Sequence, residues 1–150
     1  MTPGRVCRVV VADKVETIRR MLGGIATLPL SSLATFTEDP RMVAAGDSYL
    51  RRALEALLDL GRHILAKGFG RAPAEYAEVA RQLEETGVLD AALGGRLSLM
   101  ARYRNRLVRF YDEIGDEELL GILKAGPADV ESVLAALVSW VDANPDRADR

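Results

Sequence analysis

The chain is poor in the residues that most readily announce a chemistry. It has one cysteine, Cys7, and one histidine, His63, among 150 residues. A single cysteine excludes an internal disulfide and any cysteine-cluster metal site, and a single histidine excludes histidine-rich metal sites. It equally excludes a Ser-His-Asp arrangement built without His63. No metal and no cofactor is expected. No apolar run approaches the ~18 residues needed to span a bilayer. The N-terminal stretch MTPGRVCRVVVADKVE meets charge at Asp13, too early for a secretory signal, so the expected location is cytoplasmic, away from any membrane. Lysine is scarce too: Lys14, Lys67 and Lys124 are the only ones, and the remaining basic residues are arginines. Arginine's rigid fork suits bidentate phosphate or carboxylate contacts. A GC-rich genome gives the same bias.

What is present is the composition of a folded protein, with 49% hydrophobic and 28% charged residues. The length fits one domain, 1–150, with its core over about 8–144 and a polar tail over 145–150 that is expected to fray. The net charge of −2 and a pI near 5.5 exclude binding of polyanions by bulk electrostatics. Any nucleic-acid site must be a local patch.

The hydrophobic periodicity is helical throughout. Val11, Val15, Ile18, Leu22 and Ile25 mark a first helix that Pro29 closes. The stretch SSLATFTEDPR reads as a connector, with Pro40 opening a second, long helix. There Leu50, Leu54, Leu57, Leu58, Gly61, Ile64 and Leu65 form one stripe, while Arg51, Arg52, Glu55 and Arg62 face away, and Gly68 reads as the stop. A third helix follows, with Pro73 in its first turn and Gly87 at its end. A fourth starts near Asp90. The segment GDEELLGILKAG reads as a short fifth helix, with acids where the macrodipole favours them, and a last helix begins at GPADVE. The pattern predicts an all-α, up-and-down helical bundle of about five to six helices.

Residues 102–112, RYRNRLVRFYD, hold the main anomaly. The inward stripe of the fourth helix runs Leu93, Leu97, Met100, Arg104, Leu107 and Tyr111. A guanidinium on a core-facing stripe is costly unless paired and hydrogen-bonded. Asp59, inside the apolar second helix, is the expected partner of Arg104, and His63 lies one turn further along the same face. Arg102, Arg106 and Arg109 share another face, and Tyr103, Phe110 and Tyr111 lie among them. Each of these residues taken alone is read more readily as structural than as functional.

Together they resemble a known family. The long second helix with LLDLGRHILA, followed by EYAEVARQLEETGVLDAALGGRLSLMARYRNRLVRFYDEIGDEELLGIL, is similar to the HepT-like toxins of the HEPN class of helical domains. The resemblance covers the chain from its first helix to about Asn144. The family motif is R-x-x-x-x-H-x-Y, usually beginning R-N. Arg104, Asn105 and Tyr111 match it, and Arg109 stands in place of the histidine.

The resemblance implies a homodimeric, metal-independent endoribonuclease toxin of a type VII toxin–antitoxin module. It also implies a minimal nucleotidyltransferase antitoxin as partner, which adenylylates the motif tyrosine, here Tyr111. The implied catalytic positions are Arg104, Asn105 and Arg109, with Asp59 and His63 behind them and Arg102 and Arg106 as phosphate-binding candidates. Positions five apart on a straight helix diverge by about 140°, so Arg104 and Arg109 converge only with a local kink or a second protomer. Cleavage through the 2′-hydroxyl needs a group titrating near neutrality, which arginine does not supply. Losing such a group costs ~10²–10⁴-fold in rate. Two readings follow: a ribonuclease that is weakened or relies on Arg104 with another acid–base group, His63 being one candidate, or a non-catalytic dimeric module that binds RNA, nucleotide or the nucleotidyltransferase.

Overall fold

The computed structural model describes residues 4–109 and 114–150. The order is α1 (Arg8–Ala26), α2 (Leu33–Glu38), α3 (Pro40–Phe69), α4 (Tyr76–Glu85), α5 (Ala91–Val108) and α6 (Asp116–Ala143), then a 3₁₀ turn at Pro145–Arg147. The architecture is the expected all-α one, and among the described residues the only β pairing is one isolated bridge, Val6 with Ala148.

Helix α3 is the central element, touched by all five of the others. Its stripe of Leu50, Leu54, Leu57, Leu58, Leu60, Ile64 and Leu65 is almost wholly shielded from water. Each end has a local cause. Pro40 occupies the first turn, where it needs no donor, and the Asp39 carboxylate accepts from Arg41 N at 3.0 Å. At the other end Gly70 takes a left-handed φ of 66°. Its N–H reaches Ala66 O at 3.1 Å and Arg71 N reaches Leu65 O at 3.0 Å, closing the last carbonyls. The stop is therefore Gly70 and not Gly68, which is buried inside the helix against Trp140.

Three further expectations are corrected. The connector SSLATFTEDPR contains α2, capped by Ser32 accepting from Thr35 N and anchored by the fully buried Phe36. The two helices expected after residue 115 are one helix of 28 residues, α6, with Pro127 inside it. Proline removes one donor. The buried set Leu119, Leu123, Val130, Leu134, Leu137 and Val141 nonetheless stays in phase, with a seven-residue step across the proline and three- or four-residue steps on either side, so one core holds both halves in line.

The polar tail does not fray. Val6 N donates to Arg147 O at 2.8 Å and Asp149 N to Val6 O at 2.9 Å, and Ala148 is buried. Arg8 N donates to Asp149 Oδ1 at 2.9 Å, and Arg147 Nη1 donates to Gly68 O at 2.8 Å. The two ends of the chain are clasped together.

Helix α4 begins at Tyr76, three residues after the buried Pro73. It lies close to α3 because Gly61 has no side chain: a Cβ there would sit 2.7 Å from Leu83 Cδ1 and 3.1 Å from Val79 Cγ1. That close approach brings the first residue of α4 up to the polar side of α3 and α5.

A candidate arginine cleft

Arg104 lies on the inner stripe of α5, and its side chain is only 25% exposed. Its Nη2 is 3.6 Å from Glu55 Oε2, its Nη1 donates to Asn105 Oδ1 at 3.2 Å, and its guanidinium carbon stands 4.7 Å from the centre of the Tyr76 ring. The expected pairing with Asp59 is thus corrected to Glu55, one helical turn earlier on α3. Asp59 is engaged elsewhere. It accepts from the Tyr76 hydroxyl at 2.9 Å and from Arg62 Nη1 at 3.3 Å. Tyr76 stands between the two, giving its hydroxyl to Asp59 and its ring face to Arg104.

Arg62 was expected to face away from the core; instead it joins this group. Its Nη2 donates to Ala74 O at 3.1 Å, and its guanidinium carbon is also 4.7 Å from the Tyr76 ring centre. The Nε atoms of Arg62 and Arg104 are both shut off from water without an oxygen acceptor. The ring beside them offers a π face to each cation. Burial, and then the hydrogen bond and charge of Asp59, push the Tyr76 hydroxyl up, while Arg104 and Arg62 pull it the other way. The phenol is a proton donor near neutrality.

These groups line a cleft of about 360 Å³: Arg62 from α3, Ala74, Glu75 and Tyr76 from the approach to α4, and Arg104, Asn105 and Arg109 from the end of α5. Arg109 reaches it because α5 stops at Val108. Arg109 has extended backbone, φ −87° and ψ 120°, and its N–H closes on Asn105 O. The 140° divergence of a straight helix does not apply to a residue beyond its end. Arg104 and Arg109 therefore line one cleft within a single chain.

The other expected residues are distributed as follows. Arg106 donates two 2.7 Å bonds to the Glu118 carboxylate of α6, an exposed bidentate pair, and does not line the cleft. Arg102 is exposed on α5. His63 does not join the cleft: its Nε2 accepts from Cys7 N at 2.9 Å, which ties α3 to the start of α1. Burial and the nearby Lys67 and Lys14 push its imidazole down, with Asp149 opposing. Tyr111 and Phe110 lie outside the described residues. No histidine lines the cleft among the described residues, and none of them form a group of three His, Cys, Asp or Glu able to hold a metal ion. No helix among them is long and apolar enough to cross a membrane. A larger groove, about 1010 Å³, runs between α1 and α6 and shares no residue with the cleft.

An all-α bundle carrying an arginine cleft at the end of its fifth helix defines a class of helical domain, and comparison with known proteins gives the family. The model of the family described as "Ribonuclease HepT-like" matches residues 14–137, and the chain belongs to that family. No curated protein matches it significantly. Among solved structures it is similar to a tri-AMPylated Shewanella oneidensis HEPN toxin in complex with MNT antitoxin. That match has 20% identity over 87% of this chain and 97% of the other, with a TM-score of 0.78. A toxin–antitoxin with AMP-PNP gives 19% identity over 85% and 97%, TM-score 0.75. A Bacillus subtilis cytosolic protein of unknown function, YutE, gives 18% over 91% and 92%, TM-score 0.76. At these identities the structures show a shared fold.

Proposed function

We propose that this chain is the HepT-like component of a type VII toxin–antitoxin module, and that its arginine cleft binds RNA with at most weak cleavage. The observation that carries this reading is Arg109 in the cleft beside Arg104, at the position where the family motif has histidine. Two guanidiniums offer charge and donors for a phosphate, but neither accepts a proton near neutral pH. The proposed partner is a nucleotidyltransferase antitoxin, by likeness to relatives named with MNT antitoxin, and the proposed regulation is adenylylation of Tyr111. An adenylate there adds negative charge for the cleft arginines to grip, in competition with RNA. A homodimer is proposed as the working unit, with one cleft per chain.

The test has two parts. Purified protein is incubated with RNA without metal, as wild type and as Arg109→His. Slow cleavage by wild type, accelerated by the histidine, supports a weakened ribonuclease. Cleavage by Arg109→His alone makes the natural chain the non-catalytic binding module, which the cleft without histidine also favours. Absence of both cleavage and RNA binding in every form overturns the RNA reading. Co-expression with the nucleotidyltransferase from the neighbouring reading frame, followed by intact-mass measurement, is expected to show adenylate that a Tyr111→Phe variant lacks.

A further inference from the structure

We propose that Arg62 is a third phosphate-binding cation of this cleft, with Arg104 and Arg109, and that Tyr76 is the positioning residue that holds Arg62 and Arg104 against its ring. The inference rests on the RNA-binding reading and extends it to two residues outside the family motif.

The argument begins with charge. Arg62 comes from α3 and Arg104 from α5, yet each guanidinium carbon stands 4.7 Å from the centre of the same ring. They can be no farther apart than the sum of those two distances, well within range of mutual repulsion in a partly buried site. Their counter-ions, Asp59 and Glu55, are not among the residues that line the cleft. Among the described residues the lining carries Arg62, Arg104 and Arg109 with Glu75. An anion entering the cleft thus meets the guanidiniums of Arg62 and Arg104, whose own carboxylates do not border it.

The second strand is donor capacity. A guanidinium has five N–H groups. Each of the four Nη atoms of Arg62 and Arg104 has one protein partner: Asp59 and Ala74 O for Arg62, Asn105 and Glu55 for Arg104. One hydrogen on each nitrogen is left for a ligand. The tethers hold both forks at fixed angles, so few side-chain rotamers are lost when an anion arrives.

The third strand is the ring. Because Asp59 holds the Tyr76 hydroxyl at 2.9 Å, the ring is fixed relative to α3, and α4 presses it there through the contact at Gly61. Leucine in its place would keep bulk but remove the π face, leaving both guanidiniums to swing towards their carboxylates. Phenylalanine would keep the face.

The experiment is binding of a fluorescein-labelled, 2′-O-methylated oligouridine, which cannot be cleaved through its 2′-oxygen. Fluorescence anisotropy across a salt series, with the full chain, reads the slope of log affinity against log salt. Each phosphate neutralised on a single strand contributes about 0.7 to that slope. Arg62→Met is expected to lower the slope by about 0.7, and Tyr76→Leu by more than Arg62→Met does. Tyr76→Phe, which keeps the ring face but loses the hydroxyl's bond to Asp59, is expected to recover part of the loss seen in Tyr76→Leu. A merely structural role for Arg62 would lower stability and leave the slope unchanged. A wild-type slope in a folded Arg62→Met variant, while Arg104→Met loses binding, overturns this inference and spares the RNA reading. Absence of binding by the wild-type chain at low salt overturns both. Should Tyr76→Leu fail to fold, the slope of Arg62→Met decides alone.

Discussion

Substituting Gly61 by alanine is the sharpest test of how the fold builds the cleft. An alanine Cβ would lie 2.7 Å from Leu83 Cδ1 and 3.1 Å from Val79 Cγ1, and both neighbours are fully buried. To reach ordinary contact, Leu83 must change rotamer in a packed core or α4 must retreat by several tenths of an ångström. Overpacking of this kind costs about 1–3 kcal/mol. Alanine also gains about 1 kcal/mol over glycine in a helix interior, so the net change is smaller than the steric cost. Gly23→Ala isolates the two contributions. Gly23 is also inside a helix, α1, and its added Cβ meets nothing within 4 Å. That variant should be more stable than wild type by about 0.5–1 kcal/mol.

The difference between the two variants removes the propensity gain and leaves the steric cost, about 1–3 kcal/mol against Gly61→Ala. Urea denaturation followed by far-UV circular dichroism measures it. Trp140, the only tryptophan, packs on Phe69 with ring centres 5.3 Å apart and gives a second probe; coincident transitions would justify a two-state treatment. If α4 retreats, Tyr76 moves with it, so Gly61→Ala should also weaken oligouridine binding, which Gly23→Ala leaves alone. Finding Gly61→Ala as stable as Gly23→Ala would refute the claim that a missing side chain sets the α3–α4 distance.

Other outcomes are expected from the same structure. Pro127→Ala restores a helix donor inside α6 and should stabilise the protein by about 1–3 kcal/mol; an unchanged or lower Tm would count against that. Deleting residues 145–150 removes the buried Ala148 and uncovers Val6, which should cost about 2–4 kcal/mol in urea denaturation, whereas a fraying tail would cost nothing. His63 is held below its ordinary value of 6.5, so its neutral form favours the fold: the contribution is complete above pH 6.5 and is lost as pH falls through the lowered folded pKa. Stability measured over about pH 5 to 8 should therefore fall towards acid more steeply in wild type than in a His63→Asn variant, and parallel curves would remove His63 from the account.

The helical class was legible because the apolar steps of three and four depend only on which residues face the core. What sequence could not supply was the arrangement at interruptions. Proline at 127 looks like a boundary in a string of letters, but its cost of a few kcal/mol is outweighed when the apolar stripe stays in phase on both sides. Phe36 turned a connector into a helix through a burial that no local pattern announces. The tail is polar in composition, and its one buried residue, Ala148, is too small to register as a hydrophobic signal.

At the site, Arg104 was recognisable because a charge on an apolar stripe violates a strong rule. Its partner was not, since the rule demands a carboxylate without saying which one. Asp59 sits on α3 among the buried leucines and looked the better candidate, whereas Glu55 lay on a face that also holds Arg51 and so looked solvated. The difference is made by Tyr76, which enters from a third helix and claims Asp59 for its hydroxyl. Arg62 was lost for the same reason: an arginine on the outer face of a long helix becomes a cleft residue only when another element arrives to wall it in. The motif thus marked the residues that one helix end brings together, and missed those whose role depends on how closely α4 packs on α3.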